Sequence, residues 1–237
     1  MCGRFSLIST AQLLAKILQL NRTPALEPRY NIAPTQSVAA VRLDSKKEER
    51  SLSMLRWGLI PFWAGEISIG ARMINAKSET VFEKPAFRSA IRQKRCLIPA
   101  DGFYEWKKEG KKKLPYYIRM QDKNLFAFAG LWERWKNPEE EFIESCTILT
   151  IAPNELVKPI HNRMPVILKP QDYDLWLDTS VQKKDLLHPL FKPYSSEIME
   201  AYPVSPFVNH ASNDAPQCII PYDEMPDLMD WRPVNDL

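Results

Sequence analysis

Cys2 directly follows Met1 and is followed by Gly3 and Arg4. A small second residue lets a methionine aminopeptidase remove Met1, leaving a cysteine with a free α-amine. Amine and thiol then sit on adjacent carbons. The amine condenses with an aldehyde to an imine, and the thiol closes a five-membered thiazolidine. An α-amine of pKa about 7.7–8.0 is roughly 10–20% free base at pH 7, whereas a lysine near 10.4 is almost wholly protonated. The thiolate, from a pKa of about 8.5, is the better nucleophile for acyl transfer. On position alone Cys2 is equally the ordinary second residue of a chain, so its meaning depends on partners elsewhere.

Glu105, His161 and Asn75 are candidate partners. Glu105 lies in Gly102-Phe103-Tyr104-Glu105-Trp106, a strand-like run that puts Phe103 and Glu105 on one face and Tyr104 and Trp106 on the other. A glutamate on an apolar inward face is desolvated, and its pKa rises toward the range useful for proton shuttling. The plain alternative is a surface carboxylate paired with Lys107 or Lys108. His161, in His161-Asn162-Arg163-Met164-Pro165, belongs to the residue type that exchanges protons near neutrality, although lone histidines are more often structural. Asn75 opens Asn75-Ala76-Lys77-Ser78-Glu79-Thr80. It is an uncharged donor and acceptor, or else a cap for the helix expected after it.

The elements that must position these residues are mostly short strands. Runs rich in β-branched and aromatic residues with turn-rich borders predict strands at Val38–Leu43, Leu52–Trp57, Cys96–Ile98, Phe103–Lys107, Tyr116–Met120, Leu125–Leu131 and Phe142–Ile151. They suit an α+β fold whose mostly antiparallel sheet curls toward a barrel, flanked by short helices. A helix is predicted over Ser9–Leu20, with Ser9 and Gln12 in a capping-box pattern. Further helical stretches are expected at Ser78–Phe82, Pro85–Gln93, Asn154–Lys158, Gln171–Leu177 and Gln182–Leu186, and an ordered loop at Asn21–Gln36. Lys107–Lys113 reads as a hairpin tip around Gly110, and the charge run Lys111–Lys113 as solvated and without chemistry. One domain is expected over residues 2–221, with a tail at 222–237 packing on it.

Composition narrows the function classes. The 237 residues are 45% hydrophobic and 26% charged, which is a globular balance, and the net charge of +3 permits a polyanionic partner without demanding one. Pro 20 against Gly 7 makes a stiff chain, and neither G-x-G-x-x-G nor G-x-x-x-x-G-K occurs, so a glycine-rich phosphate cradle is not expected. No apolar run reaches 18 residues and no secretory signal pattern opens the chain, so a cytoplasmic, DNA-associated protein without membrane contact is expected. Cys2, Cys96, Cys146 and Cys218 form no C-x-x-C, which argues against zinc and, with the missing nucleotide motifs, for no cofactor.

Six strings carry a resemblance. Met1-Cys2-Gly3-Arg4-Phe5 opens the chain, and Asn75-Ala76-Lys77-Ser78-Glu79-Thr80, Gly102-Phe103-Tyr104-Glu105-Trp106 and His161-Asn162-Arg163-Met164-Pro165 follow in that order, with Arg29–Thr35 and Arg56–Pro61 between. Together they resemble the SOS response-associated peptidase (SRAP) family of abasic-site processing proteins, from Met1 to about Pro221. The resemblance implies that the mature N-terminal cysteine attacks the ring-opened aldehyde of an abasic site in single-stranded DNA, forming a thiazolidine crosslink that shields the lesion. It assigns attack to Cys2, proton transfer to Glu105, ring opening to His161 and orientation to Asn75. The family's usual Asn-Ala-Arg is Asn75-Ala76-Lys77 here, which keeps the charge and loses the fork that fits phosphate.

Arg4, Arg72, Lys77, Arg88 and Arg163 then become candidates for a DNA backbone track. Trp57, Phe62 and Trp63 become candidates for base stacking, with core burial as the alternative, and Asn209 is a further candidate contact. The expected partner is a single-stranded DNA bearing an abasic site, held covalently by a monomer. Two other readings stay open on the sequence: a cysteine peptidase or amidase acting through Cys2, and a non-covalent single-strand-binding module.

Overall fold

The structure is a computed structural model that describes residues 2–44 and 49–224. The expected tail lies outside the described residues from position 225 onward. In chain order the strands are β1 (Phe5–Leu7), β2 (Arg29–Ile32), β3 (Ser37–Asp44), β4 (Glu49–Trp57), β5 (Asn75–Lys77), β6 (Arg95–Ala100) and β7 (Gly102–Glu109). They continue as β8 (Lys112–Met120), β9 (Phe126–Lys136), β10 (Phe142–Ile151), β11 (Met164–Pro165), β12 (Ile167–Leu168) and β13 (Met199–Pro203). The helices are α1 (Ala11–Leu18), α2 (Ala90–Gln93), α3 (Tyr173–Leu177) and α4 (Lys184–Leu187), with short 3-10 turns between.

Five strands close on themselves in the order β10–β4–β3–β6–β9–β10, and only the β10–β4 pair is parallel. Closure removes exposed edges, which explains how so many β-branched residues stay inside. The expected curled antiparallel sheet with short helices is therefore the observed architecture. A second sheet runs β13–β8–β7–β1–β2. One apolar core joins the two, with Phe5 and Phe103 from the second sheet meeting Phe128 of the barrel edge to face.

The start of the chain is tied down with unusual thoroughness. β1 is sandwiched between β2 and β7, with Phe5 opposite both Ile32 and Phe103. Just beyond it, Asp101 at the β6–β7 junction accepts from Ile8 N at 2.6 Å, from Ser9 N at 2.9 Å and from Ser9 Oγ. The expected Ser9–Gln12 capping box is thus corrected. Ser9 is spent on Asp101, and Thr10 caps α1 instead by accepting from Leu13 N. On the same strand Ser6 Oγ meets Tyr117 Oη at 2.7 Å. The Tyr117 ring lies where a Gly102 side chain would stand, since a Cβ there would come within 2.3 Å of Tyr117 Cζ. Gly102→Ala is expected to lower stability by about 1–3 kcal/mol through overpacking, read as a fall in the urea midpoint; an unchanged midpoint would contradict this packing.

Two expected helices are single turns instead. Residues 78–82 and 154–158 carry turns only. Each stretch runs into a proline, Pro85 and Pro159, that denies the next turn its N–H donor. Among the described residues no helix is long and apolar enough to cross a membrane.

Candidate active site

Cys2 sits just before β1 and is fully buried. Its carbonyl accepts from Asn75 Nδ2 at 2.8 Å. Asn75 reaches it because β5 adds to β10 in parallel, with Asn75 opposite Ile148. Asn75 is therefore a strand residue and not the helix cap allowed by the sequence. Its other side-chain atom, Oδ1, is buried with no hydrogen-bond partner among the described residues, which leaves an acceptor for an incoming group.

Glu105, in the middle of β7, is 3% exposed and shares the inward face with the fully buried Phe103. Lys107 pairs with Glu109, so the surface ion pair allowed by the sequence does not form at Glu105. Burial, the largest cause, pushes the Glu105 carboxyl from 4.5 up to about 7. Burial also raises the Cys2 thiol well above its ordinary value, and the Glu105 charge adds to the rise. At neutral pH the thiol thus holds its proton, in contrast to the activated thiolate of a cysteine peptidase.

His161 Nδ1 lies 3.8 Å from Glu105 Oε1. A single turn after Asn154 delivers the ring: Asn154 Oδ1 accepts from Val157 N at 3.0 Å, and His161 N donates to Val157 O at 2.8 Å. The Arg163 backbone N–H donates to His161 Nδ1 at 3.0 Å, so the neutral ring carries its proton on Nε2. Arg163 O lies 3.1 Å from the same nitrogen and can accept from it once protonated. Burial lowers the His161 pKa, favouring the neutral form. One environment thus raises a carboxyl and lowers an imidazole, because burial favours the uncharged form of each.

Glu105, His161, Trp106, Lys113 and Asn209 line a cavity of about 550 Å³. Trp106 Nε1 donates to Asn209 Oδ1 at 2.8 Å, and the Arg4 guanidinium sits 5.8 Å from the Trp106 ring centre. The buried Asn31 holds this wall. Its Nδ2 lies 2.7–3.1 Å from Val208 O, His210 O and Asn213 O, while its Oδ1 accepts from Arg4 Nη1 at 2.7 Å. Removing that amide leaves several buried groups unpaired. Asn31→Ala is expected to cost roughly 2–4 kcal/mol, seen as a lower thermal midpoint. A midpoint within a degree of the parent would contradict this role.

Cys2, Asn75, Glu105 and His161 are therefore brought together, and Asn209 joins them at the cavity. The other expected contacts fall into distinct settings. Arg72, Lys77 and Arg88 are exposed, as are Phe62 and Trp63. Arg163 gives its fork to Glu79 at 2.5 and 2.9 Å. Trp57 is corrected: it is fully buried, its ring packs edge to face on Phe5 at 5.2 Å, and its Nε1 donates to Ile74 O. It cannot stack on a base without the barrel opening. Sequence reasoning missed Lys113 and Trp106 as wall residues. Lys113 was masked by its lysine run, and Trp106 by its assignment to the face opposite Glu105.

The model of the SOS response associated peptidase (SRAP) family matches residues 1–211. The chain is 45% identical over 223 residues to the abasic site processing protein YoqW of Bacillus subtilis (strain 168), spanning 92% of this chain and 99% of that protein. It is 34% identical over 227 residues to the abasic site processing protein HMCES of Xenopus tropicalis, spanning 81% and 66% respectively. A crystal structure of a protein from Bacteroides thetaiotaomicron superposes with a TM-score of 0.83 at 30% identity, covering 93% of this chain and 99% of that one. With a matching fold, a family pattern over residues 1–211 and a relative matched over 99% of its length, the chain belongs to the SOS response associated peptidase family.

Proposed function

We propose that this protein captures abasic sites in single-stranded DNA through Cys2 once Met1 has been removed, by an aminopeptidase or by the site itself. The observation that supports this best is the continuity of Asn75, Cys2, Glu105 and His161: a hydrogen bond of 2.8 Å from Asn75 to Cys2, a bond of 3.0 Å from Tyr104 N to Arg4 O that runs the start of the chain alongside Glu105, and a contact of 3.8 Å from Glu105 to His161. Relatives named for abasic-site processing supply the substrate class.

In this reading His161, once protonated, gives a proton to the ring oxygen of the abasic deoxyribose while the C1′ hydroxyl passes its own proton to the Glu105 carboxylate, which opens the ring to the aldehyde. The Cys2 amine attacks C1′, and Glu105 carries protons from the amine to the departing hydroxyl, so that one water leaves and an imine remains. Asn75 orients Cys2 through its carbonyl and offers Oδ1 to the reacting group. The Cys2 thiol then adds across the C=N bond, its proton passing to nitrogen, and the thiazolidine closes. A thiol kept protonated until the imine forms suits this order of events and disfavours direct attack on a peptide. The exposed Arg72, Lys77 and Arg88 offer cations to the strand, and Phe62 and Trp63 offer rings to its bases.

The test is incubation with a single-stranded oligonucleotide carrying one abasic site, followed by a denaturing gel. A shifted band that survives heat supports the reading. Binding without such a band favours a non-covalent module. Turnover of a fluorogenic peptide without any adduct favours a peptidase.

A further inference from the structure

Three cations border the reactive residues, and they differ in what they already hold. Arg163 places both terminal nitrogens on Glu79 and one also on Thr150 O. Arg4 gives Nη1 to Asn31 Oδ1 and Val208 O, at 2.7 and 2.9 Å. The exposed Lys113 ammonium makes no ion pair or hydrogen bond among the described residues, and it stands on the cavity wall with Glu105, Trp106, His161 and Asn209.

Register explains how a lysine from a hairpin tip gets there. Lys113 lies opposite Lys108, and the turn closes through Glu109 opposite Lys112 with Gly110 at φ 61. Lys112 and Lys113 project to opposite faces of β8; Lys113, opposite Lys108, shares the Trp106 face, and of the two it is Lys113 that lines the cavity. That cavity, about 550 Å³, is larger than a bare pentose needs. Beside the acid–base pair it offers an indole fixed by Asn209 and an uncommitted ammonium. An aromatic wall with a compact point charge is what a nucleotide with its phosphate asks for.

We infer that Lys113 holds the phosphate next to the lesion, with Trp106 forming the apolar wall for the flanking nucleotide. This inference rests on the abasic-site reading above and adds to it a contact that selects a strand continuing past the damaged sugar over a free sugar aldehyde.

The experiment measures non-covalent affinity of the mature protein for a single-stranded oligonucleotide bearing a tetrahydrofuran abasic analogue, which has no aldehyde to crosslink. Loss of one phosphate contact on a single strand removes about 0.7 from the log–log salt slope. Lys113→Ala should therefore bind more weakly at 50 mM salt, and its deficit should shrink about 2.6-fold by 200 mM. Lys113→Arg should restore binding, and Lys112→Ala should leave affinity within twofold of the parent. A neutral methylphosphonate at the linkage beside the lesion should weaken the parent and leave Lys113→Ala unaffected. Parent-like affinity and slope in Lys113→Ala, or equal losses in the Lys112→Ala control, would overturn the inference. The parent is assayed in parallel for adduct formation on a natural abasic site. No adduct there refutes the function itself, whereas an adduct together with an indifferent Lys113→Ala refutes only this contact.

Discussion

The Cys2→Ala variant, processed to the same length, is expected to give no heat- and acid-resistant adduct with abasic single-stranded DNA. Under the proposed chemistry the loss is total, because the thiol supplies the bond that closes the ring and the other cysteines are buried elsewhere. Cys96 and Cys146 are fully buried, with Cys96 pushed up to about 12 by burial, and Cys218 is buried in a separate cluster. The amine survives in the variant, so an imine should still be trapped by borohydride. Cys2→Ser should behave likewise. Removing a single buried sulfur should change stability by only about 1 kcal/mol, so a matching unfolding midpoint separates lost chemistry from lost fold. A heat-stable adduct from Cys2→Ala would assign the crosslink to another residue.

Glu105→Gln should separate activity from stability in opposite directions. Proton transfer by a positioned side chain is worth about 10²–10⁴-fold, and the variant should crosslink more slowly by that factor while binding the tetrahydrofuran oligonucleotide as before. Its stability should move the other way. The Glu105 carboxyl is raised from 4.5 to about 7 in the folded protein. Below pH 4.5 both folded and unfolded chains carry the proton, and burial of the acid costs no charge. As pH rises from 4.5 to about 7, the unfolded chain gives up its proton first, and stability falls by on the order of 3 kcal/mol before levelling off. Glu105→Gln lacks this loss. It should match the parent near pH 4 and exceed it at pH 8, as measured by denaturant unfolding at both pH values. An unchanged crosslinking rate, or a variant weaker than the parent at pH 8, would contradict the assignment.

Long strands were legible because alternation and β-branching persist along them. The predicted Val38–Leu43, Leu52–Trp57 and Phe142–Ile151 lie within β3, β4 and β10, which extend at most a few residues further. β1, β2, β5, β11, β12 and β13 were not predicted. They are two to five residues long, and each exists because a distant strand offers it hydrogen bonds. That is why Arg29–Ile32 reads as loop and why Asn75 resembled a helix cap. The burial of Glu105 was readable, since one period of alternation ties it to Phe103. Trp57 was not, because an indole at a strand end reads alike whether it faces a base or a core. Lys113 was hidden for a related reason: composition marks a lysine run as solvated, and only the hairpin register places the exposed Lys113 on the same face as Trp106.

The central claim is that the α-amine and thiol of Cys2 together hold the lesion carbon. Mass spectrometry of the nuclease-trimmed adduct tests it most directly. The expected mass is that of the chain without Met1 plus the sugar fragment less one water. Fragment ions should place the addition on residue 2, with its thiol unavailable to iodoacetamide. An adduct that retains Met1, or one whose mass maps to a lysine, would contradict the account.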